Sequence, residues 1–407
     1  MSSDTAFPPA GRPLVVPDTD HDRYASFGFM SWWDQRKVRE ATVLIAGAGA
    51  LGNEVVKNLA LVGVGQLLIV DFDTVEAANL GRSVLFRDSD RGHKKAETAA
   101  AAARRLNPDV ATGWLDGDLT RQVGLGLFRR ADVVVSCLDN REARLALNRS
   151  CYRVGRPWVD GALHEMLGEV RVFWPGRGAC YECTLGPADY RAIDLRYSCS
   201  ALARDRLLEG KLATTTAIAA IIGGAQAQEV LKILHGLPVQ PGAGVVWNGL
   251  TNDVYGITYP VDAECPSHHA YGPILECPGL RAGTTTAAQM LAHVRHAMGS
   301  AAVLELDHDL LVGFDCVAGH TFEEAAGPAA AVTESAAVCP ACGRSRWPRL
   351  AHRLCGDEPY LGRPLAELGV PPLHVLAGRS GDHRQYFELT GDGEALWKFI
   401  REPSGGS

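Results

Sequence analysis

Three short blocks carry residues whose types and order could do phosphate chemistry. The first is Gly47-Ala48-Gly49-Ala50-Leu51-Gly52, which follows an apolar run at 43–46 and opens a helical pattern over 53–62. In such a turn the first glycine permits the tight reversal and the second lets backbone N–H groups approach a phosphate. The third allows close helix–strand packing. Asp71 closes the next strand-like run nineteen residues after Gly52, where a carboxylate can accept hydrogen bonds from ribose hydroxyls. Cations come next: Asp71-Phe72-Asp73-Thr74-Val75 is followed by Asn79-Leu80-Gly81-Arg82 and Gly92-His93-Lys94-Lys95-Ala96. The third block, Ser136-Cys137-Leu138-Asp139-Asn140, ends another apolar run, with Arg144 and Asn148 on the helical stretch after it. Alone, the glycine fingerprint favours a nicotinamide or flavin dehydrogenase, but hydride transfer gives Arg82 and Lys95 no phosphate charge to neutralise. Attack of a carboxylate on the α-phosphate of ATP does. Arg82 and Lys95 can offset the charge that develops as pyrophosphate leaves, and Asp139 can hold Mg2+. Taken singly, Arg82 reads as a surface cation, Lys95 as a helix-cap charge and Asp139 as an N-cap. The ordered set points to adenylation.

The eleven cysteines offer a second chemistry. Cys180-Tyr181-Glu182-Cys183 is a C-x2-C knuckle after a strand and a glycine-containing turn, a geometry that aims two thiolates at one ion. Cys265-Pro266-Ser267-His268 lies eighty-two residues beyond Cys183, with His269 as a competing imidazole. Cys339-Pro340-Ala341-Cys342 is another knuckle, and Cys316 with His320 adds a thiolate and an imidazole at C-x3-H spacing. Together these four read as a second, zinc-ribbon-like site. Cys137 and Cys151 fall in strand and helix patterns and read as core, while Cys277 and Cys355 have no partner legible in the sequence. Cys199 stands in a polar stretch, 187–211, too long for an ordinary connection. Arg196, Arg204 and Arg206 there favour a thiolate, against Asp205.

The elements that must position these residues follow from periodicity. Apolar runs at 41–46, 66–71, 131–137 and 156–160 alternate with Ala-rich helical patterns, which predicts a Rossmann-like α/β fold with a mostly parallel sheet. Residues 169–174 and 245–258, the latter with Asn248-Gly249 and Asn252-Asp253 turns, predict an antiparallel extension tied down by structural zinc. The stretch 213–234 is the most apolar, but Gly, Gln, Glu and Lys interrupt it; it reads as a buried core helix. Residues 262–283, with three prolines and three glycines, read as a linker. Beyond them come a helix at 285–298, a strand at 302–306, a loop region bearing cysteine and histidine, and a terminal α/β piece. The expected organisation is an N-terminal helical arm (1–40), an ATP-binding adenylation domain with a zinc site (41–271), a smaller C-terminal α/β zinc-ribbon region (272–402) and a disordered tail (403–407).

From residue 41 to about residue 236 the chain resembles the adenylation domain of the ubiquitin-activating-enzyme-like (ThiF/MoeB/HesA) superfamily, with its motifs in the expected order. The likeness is to a bacterial member with a zinc-ribbon extension. It implies that Gly47, Gly49 and Gly52 line the nucleotide, that Asp71 binds ribose, and that Asp73, Asn79, Arg82, Lys95 and Asn140 surround the phosphates, with Asp139 on Mg2+. It implies ATP, Mg2+ and Zn2+ as bound groups and a homodimer as the assembly. The implied partner is a ubiquitin-like or sulfur-carrier protein whose C-terminal glycine carboxylate is adenylated. Because the relatives place a second C-x2-C where Cys265 and His268 stand, these two complete Cys180 and Cys183 as a Cys3His zinc site. Cys199 falls in the segment that crosses the adenylate in this family. It is either a thioester acceptor, serving a conjugating enzyme or sulfur acceptor, or a structural thiol. Two departures matter. Ser83 stands where the family has Gln. The N-terminal Arg-Tyr-x-Arg, whose second arginine reaches the partner subunit's nucleotide, reads Arg23-Tyr24-Ala25-Ser26. Either Arg23 substitutes or no arginine finger is used. The rival readings are a peptide- or tRNA-adenylating relative on the same scaffold, an NAD-dependent oxidoreductase, and a non-catalytic scaffold, the last opposed by Arg82, Lys95 and Asp139.

A formal charge of −7 without a basic run argues against nucleic acid as a partner. Residues 1–17 lack the apolar stretch of a signal peptide, so the expectation is a cytoplasmic protein, not membrane-bound, with its thiols reduced.

Overall fold

The computed structural model describes residues 20–198, 214–329 and 334–393. Its first sheet grows from β1 (Thr42–Ala46), whose five residues are all buried, and from β2 (Gln66–Val70) and β4 (Val133–Ser136) on either side. Such near-continuous apolar strands belong to a parallel sheet covered on both faces. β3 (Ala111–Leu115) was not expected, because Ala-Thr-Gly-Trp-Leu has no apolar run; it forms by pairing in parallel with β2 at the sheet edge. Helices fill the crossovers: α1 (Gln35–Glu40) precedes β1, and α2 (Ala50–Leu61), α3 (Ala77–Leu80), α4 (Lys95–Leu106), α5 (Leu125–Arg130) and α6 (Arg141–Val154) follow in order. After β5 (Trp158–His164) the chain turns antiparallel through β6 (Leu167–Phe173), β7 (Ala243–Asn248) and β8 (Asp253–Thr258). The result is an eight-stranded sheet of order β3-β2-β1-β4-β5-β6-β7-β8.

The polar stretch after the first knuckle begins as a helix, α7 (Pro187–Ser198). α8 (Thr216–His235) is capped at its start by the Thr215 hydroxyl and closed by left-handed Gly236. By length and composition α8 could cross a membrane. Instead its Ile218, Ile222, Val230 and Leu231 share one core with Val43, Ile45 and Leu67, and its buried Gln226 donates to the Ser136 carbonyl at 2.8 Å.

The second sheet holds β9 (Ile274–Glu276), β10 (Val303–Cys316), β11 (Thr321–Pro328), β12 (Arg346–Leu354), β13 (Val375–Ser380) and β14 (His383–Glu388). Its order is β11-β10-β13-β14-β9, with β12 along the other side of β10. α9 (Ala287–Met298) starts in a Thr286/Gln289 capping box and buries Met290, Leu291 and Val294 against this sheet. Three expectations are corrected here. The strand expected at 302–306 runs on to Cys316, because after a register shift across residues 306–309 the segment 310–315 pairs with β11 on one side and β12 on the other. The terminal piece is the β13–β14 hairpin, with only single-turn 3-10 helices around it among the described residues. Residues 262–283 are no free linker, since β9 pairs in parallel with β14.

The two sheets meet at α5. Gly126 N–H donates to the Leu373 carbonyl at 2.9 Å, and a side chain on Gly124 would stand 2.1 Å from the Pro372 carbonyl oxygen. The fully buried Glu388 carboxylate pairs with both Arg129 and Arg130, and Tyr271 stacks on Tyr386 with ring centroids 3.9 Å apart.

Candidate active site

The glycine turn, Asp71 and the Cys137–Asn140 segment come together because β2, β1 and β4 are neighbours and all three blocks leave the strands' C-terminal ends. Ligands bind there in open α/β sheets. Gly47 has φ +96°, and a Cβ on it would lie 2.6 Å from the Cys137 carbonyl oxygen; one on Gly52 would lie 2.0 Å from the Gly47 oxygen. Neither position admits a side chain. Gly49 instead faces open space, room that a ligand could use. The Asp71 carboxylate accepts from Ala48 N at 2.7 Å and Asp73 N at 2.8 Å, which splints the turn to β2. Burial pushes the Asp71 carboxyl above the usual aspartate range, opposed by the hydrogen bond from Ala48 and the charge of Lys95.

Lys95 opens α4 with its ammonium 2.6 Å from Asp73. It is buried, not freely solvent-accessible, while Asp73 is exposed. Arg82 is half-buried and donates to the Ala78 carbonyl at 2.9 Å. Asn79 is buried in a capping box with Glu76, so its amide is used locally. Asp139 is exposed just beyond β4; the Asn140 amide donates to it at 3.2 Å while the Asn140 carbonyl oxygen caps α6 through Ala143 N. Ser83 is buried with no hydrogen-bond partner for its hydroxyl.

One residue escaped the sequence reading. Asn53 is fully buried; its amide donates to Ala48 O and Gly49 O, and its oxygen accepts from Leu85 N at 2.9 Å. It ties the glycine turn to the loop after Arg82. An Asn inside a predicted helix was the only available signal. Arg23 donates to Leu106 O, at the opposite end of α4 from Lys95, roughly 16 Å along the helix at about 1.5 Å per residue. It therefore stands away from Lys95 of its own chain.

Both cysteine clusters assemble. Cys180 Sγ lies 3.7 Å from Cys183 Sγ and 3.6 Å from Cys265 Sγ, and Cys183 Sγ lies 3.3 Å from His268 Nε2. Two sulfurs each about 2.3 Å from a tetrahedral ion stand about 3.8 Å apart, so the donor set fits zinc. His268 is the ligand-facing imidazole; His269 Nε2 faces the Tyr386 hydroxyl. Tyr152 stacks on His268, and Asn148 donates to Ser267 at 2.8 Å. Glu182, inside the knuckle, is buried and accepts from Arg149, Ser267 and Tyr190. In the second cluster Cys316 Sγ is 3.5 Å from Cys342 Sγ, and Cys339 Sγ is 3.6 Å from His320 Nδ1. Cys199 and the three arginines beside it bear no described side chain, Cys199 itself lying outside the described residues. Burial raises the thiols of Cys137 and Cys151, as suits core residues.

Residues 21–266 match the ThiF family model. Adenylyltransferase and sulfurtransferase MOCS3 of Bos taurus is 36% identical over 244 residues, covering 60% of this chain and 48% of that protein. The SAMP-activating enzyme E1 of Haloferax volcanii is 40% identical over 173 residues, covering 42% of this chain and 64% of that protein. Ubiquitin-like modifier-activating enzyme 5 of Arabidopsis thaliana is 31% identical over 239 residues, 54% of each. The chain spans about half the length of the MOCS3 proteins it matches. In fold it resembles E. coli MccB crystallised with ATP, with a TM-score of 0.53 at 21% identity, covering 63% of this chain and 77% of that one. With more than half of its length matched, the chain belongs to the ThiF family.

Proposed function

We propose that this protein uses Mg·ATP to adenylate the C-terminal glycine carboxylate of a ubiquitin-like or sulfur-carrier protein. One observation carries the reading: the glycine turn, the Asp71 acceptor and the exposed Asp139 follow the C-terminal ends of the adjacent parallel strands β1, β2 and β4, and the segment after β2 brings Lys95 onto Asp73 and carries Arg82. The partner's carboxylate oxygen bonds to the α-phosphorus as the bond to the bridging oxygen breaks, and pyrophosphate departs. Lys95, oriented by Asp73, and Arg82 offset the charge that develops. Asp139 is a hard oxygen donor of the kind magnesium takes alongside phosphates, and the ion would supply further neutralisation there. Cys199 is the proposed next acceptor: its sulfur attacks the acyl carbon, AMP leaves, and the thioester serves a conjugating enzyme or a sulfur acceptor. Zinc fills both Cys3His sets, the first fastening residues 265–268 to the knuckle. The working form is a cytoplasmic homodimer, with residues 41–271 as the adenylating unit.

A protein substrate is favoured over a small acid by an open apolar groove of about 430 Å³ between α8 and the antiparallel strands, lined by Ile221, Ile222, Val170, Val245, Trp247 and Val254. The names of the MOCS3, SAMP-activating and ubiquitin-like-modifier-activating relatives support the same class. ATP–pyrophosphate exchange, run with a carrier protein ending in glycine, a short peptide and a tRNA in turn, tests the proposal. Exchange with the carrier is expected. Exchange with the peptide or the tRNA alone would move the substrate class, and none with any of them, together with NAD binding, would overturn adenylation.

A further inference from the structure

We propose that Arg144 is a positioning residue for Asp139, fixing the carboxylate to which the adenylation reading above assigns the metal. Asp139 is exposed and lies beyond the last residue of β4, where the ladder hydrogen bonds have stopped. Something must set the Leu138–Asp139 peptide plane, because that plane aims the Asp139 side chain. Arg144 reaches back from the second turn of α6 and donates through Nη2 to the Leu138 carbonyl at 2.5 Å and to the Gly161 carbonyl at 3.2 Å. Its Nε donates to Asp160 at 3.1 Å. One planar fork thus joins the metal-bearing segment to β5.

The anchor behind the fork is rigid. Asp160 is fully buried on β5, opposite Ser136 of β4, and its other oxygen is taken by Arg171. Arg171 in turn lies over the Tyr181 ring at 5.3 Å and the Phe173 ring at 5.8 Å. Asp160 therefore spends its charge on two guanidinium groups, and its full burial keeps it from a nucleotide. Nε and Nη2 of Arg144 are likewise committed to protein oxygens. The arrangement is that of an outer-shell group that orients a metal ligand without touching the metal. Lysine could keep the charge but not the three-oxygen fork.

The test measures binding of ATP to the full chain, with Mg2+ varied, by calorimetry in wild type, Arg144→Lys, Arg144→Gln and Asp139→Asn. The Mg2+ concentration that half-maximally tightens ATP should rise about 10-fold in Arg144→Gln and less in Arg144→Lys, in line with the roughly 10–100-fold cost of losing an outer-shell partner. Metal-free ATP affinity should stay near the wild-type value in both. Mg2+ dependence superimposable on wild type in both Arg144 variants would overturn the positioning role. So would an equal loss of metal-free affinity, which would make Arg144 a nucleotide contact, or unfolding of both variants by circular dichroism, which would make it a stability residue. Failure of the adenylation reading looks different: ATP binding by wild type without any Mg2+ dependence, or an undiminished dependence in Asp139→Asn.

Discussion

The two cysteine–histidine clusters share a ligand set and differ in almost everything around it. In the first, ligands eighty-two residues apart in sequence converge on a half-buried point enclosed by Asn148, Arg149 and Tyr152 of α6 and Tyr190 of α7. In the second, His320 and Cys342 are exposed, and the neighbouring Val317, Val338 and Trp347 face solvent. An ion in the first site would close a long loop that spans α7, α8 and two strands. One in the second closes only the ends of β10, β11 and β12. Closing a longer loop removes more freedom from the unfolded chain, and a protein shell makes loss of the ion a loss of packing as well. The same motif can thus be a keystone in one region and a tip ornament in another.

That contrast can be broken first at the metal. Cys180→Ser should remove one zinc and abolish cooperative unfolding of the first sheet, because structural zinc contributes on the order of 10–16 kcal/mol against a net stability of roughly 5–15 kcal/mol. Cys339→Ser should remove one zinc and leave that transition in place. Elemental analysis with thermal circular dichroism reads both, and matching collapse in the two variants would erase the distinction. Next is the joint between the regions. Glu388→Ala removes the buried carboxylate shared by Arg129 and Arg130, leaving Arg129 its pair with Glu276 and Arg130 its bond to the Gly126 carbonyl. It should cost about 1.5–3 kcal/mol, seen in urea as a split of one transition into two; an unchanged single transition would show that the clasp does not couple the sheets.

Chemistry sharpens the comparison further. Lys95→Ala and Asp139→Ala should each lower pyrophosphate exchange about 10²–10³-fold while the fold persists, whereas Cys339→Ser should leave exchange near wild type. Near-normal exchange in either of the first two would remove its assigned role. The smallest effect concerns Asp71. Its raised pKa means that the folded state holds the proton more tightly than the unfolded chain does. Its contribution to stability is therefore fullest below the unfolded pKa and declines as pH rises through the folded value. On the role proposed for Asp71, ATP affinity would run the other way, since a ribose contact would need the charged acceptor. A few-fold weakening is expected as pH falls from about 7 towards about 4, beginning above the ordinary aspartate range, and absent in Asp71→Asn. A titration with no such limb would contradict the assignment.

The amino-acid sequence by itself determined the parallel strands β1, β2, β4 and β5, the glycine turn and the two C-x2-C knuckles. Each rests on local chemistry: β-branched runs bury only one way, Gly47 alone meets its backbone angle, and C-x2-C spacing curls two thiolates together. Tertiary structure alone decided the rest. β3 is a strand because β2 offers it hydrogen bonds, though its own five residues do not call for one. β10 runs on past Asp307, His308 and Asp309 because residues 303–305 pair with β13 and β12 and residues 310–315 pair with β11 and β12, while those three polar residues lie in the register shift between the two paired segments. His268 was chosen over the adjacent His269 by the direction of the turn and by Tyr152 waiting to stack on it. The pairing of Lys95 with Asp73, the bridging role of Asn53 and the reach of Arg144 to Leu138 depend on where distant backbone segments end up. Periodicity records which face a residue takes, but a hydrogen bond between segments far apart in sequence exists only once the sheet has brought them together.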